Sequence, residues 1–253
     1  MRKFILFLIV NVLILNGFVA SGQIVNIENQ RLRKLKEGWS GNLDLSFSLT
    51  SNTRMILQLG NRNKVHWKKE NHLITGITDF SFVAVDQQNY VNNGFQHLRY
   101  AYNSKQFPKI FIEGFEQLQY NQIQLIKFRG LLGGGARAII LDHDSASVNF
   151  GAFVMGEYEE ESNDRINRHL RYSTFLSLDF QFNKTTGLNS ITYYQPDFVD
   201  PSDYRISSET SLRFSITQKL KFKLVYNIQY DTNPPLTAPK TIYYIQNAFS
   251  FEF

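Results

Sequence analysis

From Gly38 onward, apolar and polar side chains alternate with a period of two, the pattern of strands with one apolar and one polar face. In 39–50, Leu43, Leu45, Phe47 and Leu49 share a face opposite Asp44, Ser46, Ser48 and Thr50. Further on, Leu170, Tyr172, Leu176, Leu178, Phe180 and Phe182 oppose Arg171, Ser173, Ser177, Asp179 and Gln181. Tyr204, Ile206, Leu212, Phe214 and Ile216 oppose Arg205, Ser207, Glu209, Ser211 and Arg213. Leu220, Phe222, Leu224, Tyr226, Ile228 and Tyr230 alternate with Lys221, Lys223, Val225, Asn227 and Gln229. The pattern predicts about twelve strands, near 39–50, 53–67, 72–84, 94–103, 109–121, 123–141, 147–159, 168–182, 186–196, 203–216, 219–230 and 241–253. Runs on the order of 10 to 14 residues exceed the ~5–6 of soluble strands and match a tilted membrane-crossing strand.

The connections alternate in kind. Asn183-Lys184-Thr185 and Thr217-Gln218-Lys219 are tight, whereas Glu160 to Asn167, Pro196 to Ser202 and Asp231 to Lys240 are longer. Counted from a periplasmic N-terminus, tight turns fall inside and long loops outside, as in an outer-membrane barrel, although the first and third outer hairpins look short. The predicted fold is therefore all-β: a transmembrane antiparallel up-and-down β-barrel of about twelve strands. Its last strand carries Tyr243, Ile245, Phe249, Phe251 and Phe253 on one face, which resembles the signal read by the bacterial barrel-assembly machinery.

The N-terminus adds an address. Arg2 and Lys3, an apolar run from Phe4 to Leu15, and Ala20-Ser21-Gly22 read as a cleaved signal peptide over 1–22. Residues 23–38, with Arg31, Arg33, Lys34 and Lys36, are expected to be a periplasmic leader or a small plug, and 39–253 the barrel. The expected location is the outer membrane.

Composition narrows the function classes. The 253 residues include 22 Phe and 13 Tyr but no cysteine, which excludes disulfides, thiol catalysis and cysteine–zinc sites. Mean hydropathy of −0.28 excludes a bundle of membrane helices. Losing Arg2 and Lys3 with the signal lowers the net charge from +5 to +3, and scattered positive charge argues against nucleic-acid binding.

Four strings resemble one family when read together: Phe95-Gln96-His97-Leu98-Arg99-Tyr100, Glu113-Gly114-Phe115-Glu116-Gln117, Arg129-Gly130-Leu131-Leu132-Gly133-Gly134-Gly135, and Asp203-Tyr204-Arg205-Ile206-Ser207-Ser208-Glu209-Thr210. With Asn233-Pro234-Pro235, they resemble the domain of unknown function family 481, grouped with putative salt-induced outer-membrane proteins. The resemblance runs over roughly 40 to 253. It implies an outer-membrane barrel and brings no substrate, activity or catalytic residue.

Candidate chemistry is sparse. Gly133-Gly134-Gly135 lacks the Lys-Ser/Thr of a phosphate loop and reads as room for a bend or a close neighbour. Glu157, Glu159, Glu160, Glu161 and Asp164 read as a solvated, mutually repelling loop edge, with divalent-cation binding as the alternative. Asp142-His143-Asp144 is a triplet that adjacent positions alone cannot converge on a metal, so neither metal nor cofactor is assigned. Among His66, His72, His97, His143 and His169, His97 has the most suggestive setting, yet Arg99 stands where a deacylase-like motif would carry serine.

If the apolar face meets lipid, His97, Arg99, Arg129, Arg137, Glu157, Glu159, Asp179, Arg205, Glu209 and Arg213 line the lumen. Mixed charges there either pair and fill it or line a water path. The expectation is a non-enzymatic envelope barrel that passes small solutes or ions or maintains the envelope. Outer-membrane lipids and the barrel-assembly machinery are its expected partners, no nucleic acid is expected, and oligomeric state stays open. The alternatives are a membrane-embedded lipid hydrolase or deacylase and a surface-loop binder.

Overall fold

The structure, a computed structural model, describes residues 37–51, 55–85, 89–122, 124–235 and 238–253. The signal peptide and nearly all of the leader expected over 1–38 lie outside these residues. Twelve strands follow one another: β1 (Gly38–Ser51), β2 (Met55–Lys69), β3 (His72–Val85), β4 (Asn89–Asn103), β5 (Ile110–Asn121), β6 (Ile126–His143), β7 (Ala146–Glu161), β8 (Ile166–Gln181), β9 (Thr186–Pro196), β10 (Tyr204–Ser215), β11 (Leu220–Asp231) and β12 (Thr241–Glu252). Each pairs antiparallel with its sequence neighbours, and β1 pairs with β12, so the sheet closes into an up-and-down barrel. Closure satisfies the hydrogen-bonding edges that an open sheet would leave in lipid.

The seam depends on the aromatic C-terminal strand. Leu43 sits opposite Phe251 and Leu45 opposite Phe249. Gly41 and Phe253 exchange two backbone hydrogen bonds, of 3.2 and 3.1 Å. A Cβ on Gly41 would stand 2.9 Å from the Phe253 ring, so glycine is what lets the last residue dock there.

Large apolar side chains are exposed on the outer face of every strand, among them Phe47, Leu59, Phe80, Leu98, Leu118, Leu132, Phe150, Leu176, Tyr194, Phe214, Tyr226 and Ile245. Soluble monomers rarely expose continuous apolar surface of this extent, whereas a lipid-embedded barrel requires it. The register of the ladder slips at three places among the described residues, the first two between Gln119 and Asn121 on β5 and between Ile126 and Phe128 on β6. The third lies between Ile139 and Leu141 on β6, and Ile140 and Leu141 are both exposed.

The loop expected over Glu160 to Asn167 is shorter than predicted. Glu160 still pairs with Ile166, and Glu161 pairs with Ile126, so β7 and β8 extend until only residues 162–165 connect them. The longer connections are 197–203 and 232–240; of the latter, Pro235 is buried, and Pro234, Pro235 and Ala238 line the cavity inside the barrel.

Candidate functional site

The inward face of the barrel is built from polar and charged side chains that alternate with the apolar girdle. Period-two geometry alone sends Glu157 and Glu159 of β7, Arg129 of β6, Arg171 of β8 and Arg205 of β10 to the same side of the wall. There they form one connected network. Glu157 accepts from Arg205 at 2.5 Å, Arg171 at 2.9 Å and Arg129 at 3.1 Å, with no part of its side chain exposed. Glu159 accepts from Arg129 and, at 3.4 Å, from Arg205. The outer ends of the network are tied by Arg205–Asp231 at 2.7 Å and Arg171–Asp203 at 3.1 Å. Arginine suits this role because its planar fork addresses two carboxylates at once and keeps its charge when buried.

Several contacts join strands that are not neighbours and so reach over the strands between them on the inner face. Arg205 reaches from β10 to Glu157 on β7. Arg62 on β2 holds Asp79 on the neighbouring β3 at 2.6 Å and Glu209 on β10, four strands away around the ring, at 3.2 Å. Arg213 on β10 meets Asp179 on β8 at 2.8 Å, and Lys223 on β11 meets Asp44 on β1 at 2.7 Å. Gln124, before β6, donates to Gln229 on β11 at 2.5 Å.

A second layer is aromatic. Phe153, Phe175, Ile191 and Tyr193 pack together inside the barrel with Phe115 against them. Glycines directly across the ladder make room for these rings: Gly133 faces Phe115 and Gly135 faces Phe153. A Cβ at either position would stand 2.6 Å from the Phe115 ring or 2.8 Å from that of Phe153. The glycine run thus gives close approach to neighbouring side chains. His97 stacks between Phe95 and Phe115, and its Nδ1 lies 3.3 Å from Gln117 Oε1. Glu113 holds Arg137 at 2.6 Å and Arg99 at 3.1 Å, while the Arg137 guanidinium lies 4.3 Å from the centre of the Phe111 ring and that of Arg99 lies over Phe153. A cavity of about 130 Å³ lies among Phe115, Gln117, Phe153, Met155, Phe175 and Tyr193, with Pro234 and Pro235 at its outer end.

All ten residues expected at the lumen, His97, Arg99, Arg129, Arg137, Glu157, Glu159, Asp179, Arg205, Glu209 and Arg213, are buried or half-buried within the wall, in the contacts just described. Tyr243, Phe249, Phe251 and Phe253 are exposed on the outer face of the closing strand. The acidic cluster is corrected by the strand geometry. Glu157, Glu159 and Glu161 turn inward, whereas Glu160 and Asp164 bind Lys127 at 2.5 and 3.0 Å, so these carboxylates neither form a repelling loop edge nor converge. His143 lies exposed at the β6–β7 turn, 3.3 Å from Ser145 Oγ. His169 Nδ1 meets Asp197 at 2.8 Å near the outer rim, the orienting half of a hydrolase triad. Ser173, on the same inner face, accepts instead from Gln195, and no serine hydroxyl bonds to His169 among the described residues. Arg62, Asp79, Glu113, Arg171 and the aromatic layer were not singled out from the sequence.

No curated protein matches this chain. The fold is similar to that of an outer membrane channel from Pseudomonas putida F1, with a TM-score of 0.57, 9% identity, and coverage of 91% of this chain and 100% of that one. The KdgM porin, solved in complex with disordered oligogalacturonate, gives 0.48, 12%, 85% and 99%. The translocator domain of the autotransporter NalP from Neisseria meningitidis gives 0.47, 8%, 88% and 91%. The first of these likenesses shows the shared fold, an outer-membrane β-barrel. The family described as "Protein of unknown function, DUF481" matches residues 43–247, and this chain belongs to it.

Proposed function

We propose that the protein sits in a bacterial outer membrane as a non-enzymatic barrel, with a narrow path for ions or small solutes that side-chain bridges hold shut at rest. The carrying observation is the pair of arginines that reach over intervening strands on the inner face: Arg62 between Asp79 and Glu209, and Arg205 between Glu157 and Asp231. An open porin keeps charges on separated strands apart across water, but here they are in contact. The apolar girdle on all twelve strands supports the membrane setting, with lipids as the surrounding partner and the C-terminal aromatic strand as the handle for barrel assembly.

Reconstitution of the refolded protein in a planar bilayer tests this reading. Brief, small conductance steps at raised voltage are expected. A wide, steadily open pore would overturn it, and so would silence at every voltage from a barrel shown to be folded and inserted, which would leave a purely structural envelope protein.

A further inference from the structure

We propose that the outer wall over β4 and β5 is the contact surface for a second copy of this chain, closed by two reciprocal hydrogen bonds in which Gln96 of each copy donates to Glu116 of the other. This surface lies on the outside of the barrel and holds whether or not ions cross the interior.

Parity places both residues on that wall. Gln96 shares its face with exposed Leu98, Tyr100 and Tyr102, and Glu116 shares its face with exposed Ile112 and Leu118. Residues of the opposite parity, Phe95, His97, Phe111 and Glu113, are buried. Gln96 and Glu116 are both exposed, and neither makes a hydrogen bond or ion pair among the described residues. Other outward polar side chains nearby are matched within the wall, since Asn63 donates to Asn61 Oδ1 at 3.0 Å and to Thr78 Oγ1 at 3.3 Å.

The rings above and below set the depth. Toward the end with the long loops, the Tyr120 hydroxyl donates to Asn92 at 3.1 Å; toward the other end, the Tyr100 hydroxyl lies 2.7 Å from His72 Nδ1. Aromatic girdles of this kind mark the two membrane interfaces. Four residues along a strand tilted by about 40° rise about 10 Å. Glu116, four residues below Tyr120, and Gln96, four above Tyr100, therefore stand near the middle of the apolar band. Water does not reach that depth and lipid tails carry no hydrogen-bonding group, so a carboxyl and an amide left unpaired there are costly.

Their levels also match. β1 and β7 run the same way, and the ladder row through Gln96 passes Leu43 near the start of β1 and Tyr158 near the end of β7. Rows thus climb by about 3 Å per strand. Gln96 pairs with Leu118, and Glu116 lies two residues back down β5, so the two differ by only about 2 Å in depth. Leu98 and Gly114 stand in the same relation one step lower, because Leu98 pairs with Glu116. A Cβ at Gly114 would find only the Gly133 carbonyl oxygen, at 3.8 Å, so the wall is bare there.

A two-fold axis along the membrane normal, between β4 and β5, sets equal depths of two copies opposite each other. It brings Gln96 Nε2 of one copy to the Glu116 carboxyl of the other, and the reverse pair together with it. It also seats each Leu98 on the bare backbone at Gly114, the close approach that small residues allow between membrane walls. The amide brings donors and the carboxylate acceptors, so the surface is its own complement. A different membrane protein would have to supply a matching donor and acceptor at this one depth.

The chain has no cysteine, so introduced ones report contacts without background. Leu98→Cys and Gly114→Cys barrels, mixed in lipid vesicles and oxidised, are expected to give at least about threefold more disulfide-linked dimer than either alone. Energy transfer between labelled barrels, diluted with lipid, gives the dissociation constant. Glu116→Leu and Gln96→Leu are each expected to raise it at least about tenfold, since each removes both symmetry-related bonds. Glu116→Gln still accepts from Gln96 and is expected to stay within about threefold. Both leucine variants replace a polar group in the apolar band and should fold at least as well as wild type. Thr192→Leu, on the outer face of β9 and bonded to Ser208, should leave the constant unchanged. Wild-type barrels that stay monomeric at high protein-to-lipid ratio, a dimer indifferent to both leucine variants, or cross-linking no stronger in the mixture than in either cysteine variant alone would overturn the assignment.

Discussion

Glu157→Gln should be among the most damaging isosteric changes in the barrel wall. Its carboxylate faces three guanidinium groups, those of Arg205, Arg129 and Arg171, within 3.1 Å and out of contact with solvent. Removing one partner of a fully buried ion pair costs about 3–5 kcal/mol, because the remaining charge is left uncompensated. Here each arginine keeps another carboxylate: Arg129 keeps Glu159, Arg205 keeps Glu159 and Asp231, and Arg171 keeps Asp203. The amide also preserves shape and some hydrogen bonding. The expected loss is therefore the low end, about 3 kcal/mol. With a urea slope of about 2 kcal/mol per molar, the unfolding midpoint in lipid vesicles should fall by about 1.5 M. Glu160→Gln, three residues on and facing outward against Lys127, provides the control and should leave the midpoint unchanged. A Glu157→Gln midpoint within about 0.25 M of wild type would refute the reasoning, since it would mean the network is solvated or replaceable.

Other outcomes follow from separate parts of the structure. Gly41→Val places methyl groups against Phe253 and the Lys64 carbonyl, so it should destabilise the β1–β12 seam by about 1–3 kcal/mol and lower the yield of folded barrel on unheated gels. Gly133→Val meets the Phe115 ring and should cost a similar ~1–3 kcal/mol, read from the same vesicle unfolding curves. Burial works to raise the Asp197 carboxyl, but the backbone N–H groups of Asp200 and Val199 and the His169 ring outweigh it and hold the group below the ordinary carboxylate range. A depressed folded-state value means the stabilisation is complete above the ordinary range and is lost as pH falls through the folded value. The protection of the 197–203 amides, their exchange rate taken relative to the intrinsic rate at each pH, should therefore fall as pH drops below about 4, and Asp197→Asn should show that lower protection at every pH.

Most of the strand order was legible because half-buried walls repeat every two residues, and in a barrel both faces obey the rule over long runs. All twelve predicted segments correspond to strands. The largest displacements lie at β4, which begins at Asn89 rather than 94, and β6, which begins at Ile126 rather than 123. Those ends are rich in Asn and Gln, where apolar alternation fades. The inward position of Glu157, Arg205 and Glu209 could be read from parity. Their partners could not: Arg62 and Glu209 are 147 residues apart, and nothing local announces that they meet. The aromatic layer was missed for a different reason. Apolar residues were assigned to the lipid face by type, yet Phe153 shares parity with Glu157, and Phe175 with Arg171. Counting parity from the nearest charge would have placed both rings inside.

The central claim, that pairs reaching over the inner face hold the path shut, is tested most directly by single-channel recording of Arg62→Ala, Glu209→Ala and the double variant beside wild type. The two side chains form one bridge, so either single change should raise the conductance or the open fraction, and the double should add little to the larger single effect. Conductance equal to wild type in all three folded variants, or effects of the two single changes that simply add, would contradict the account.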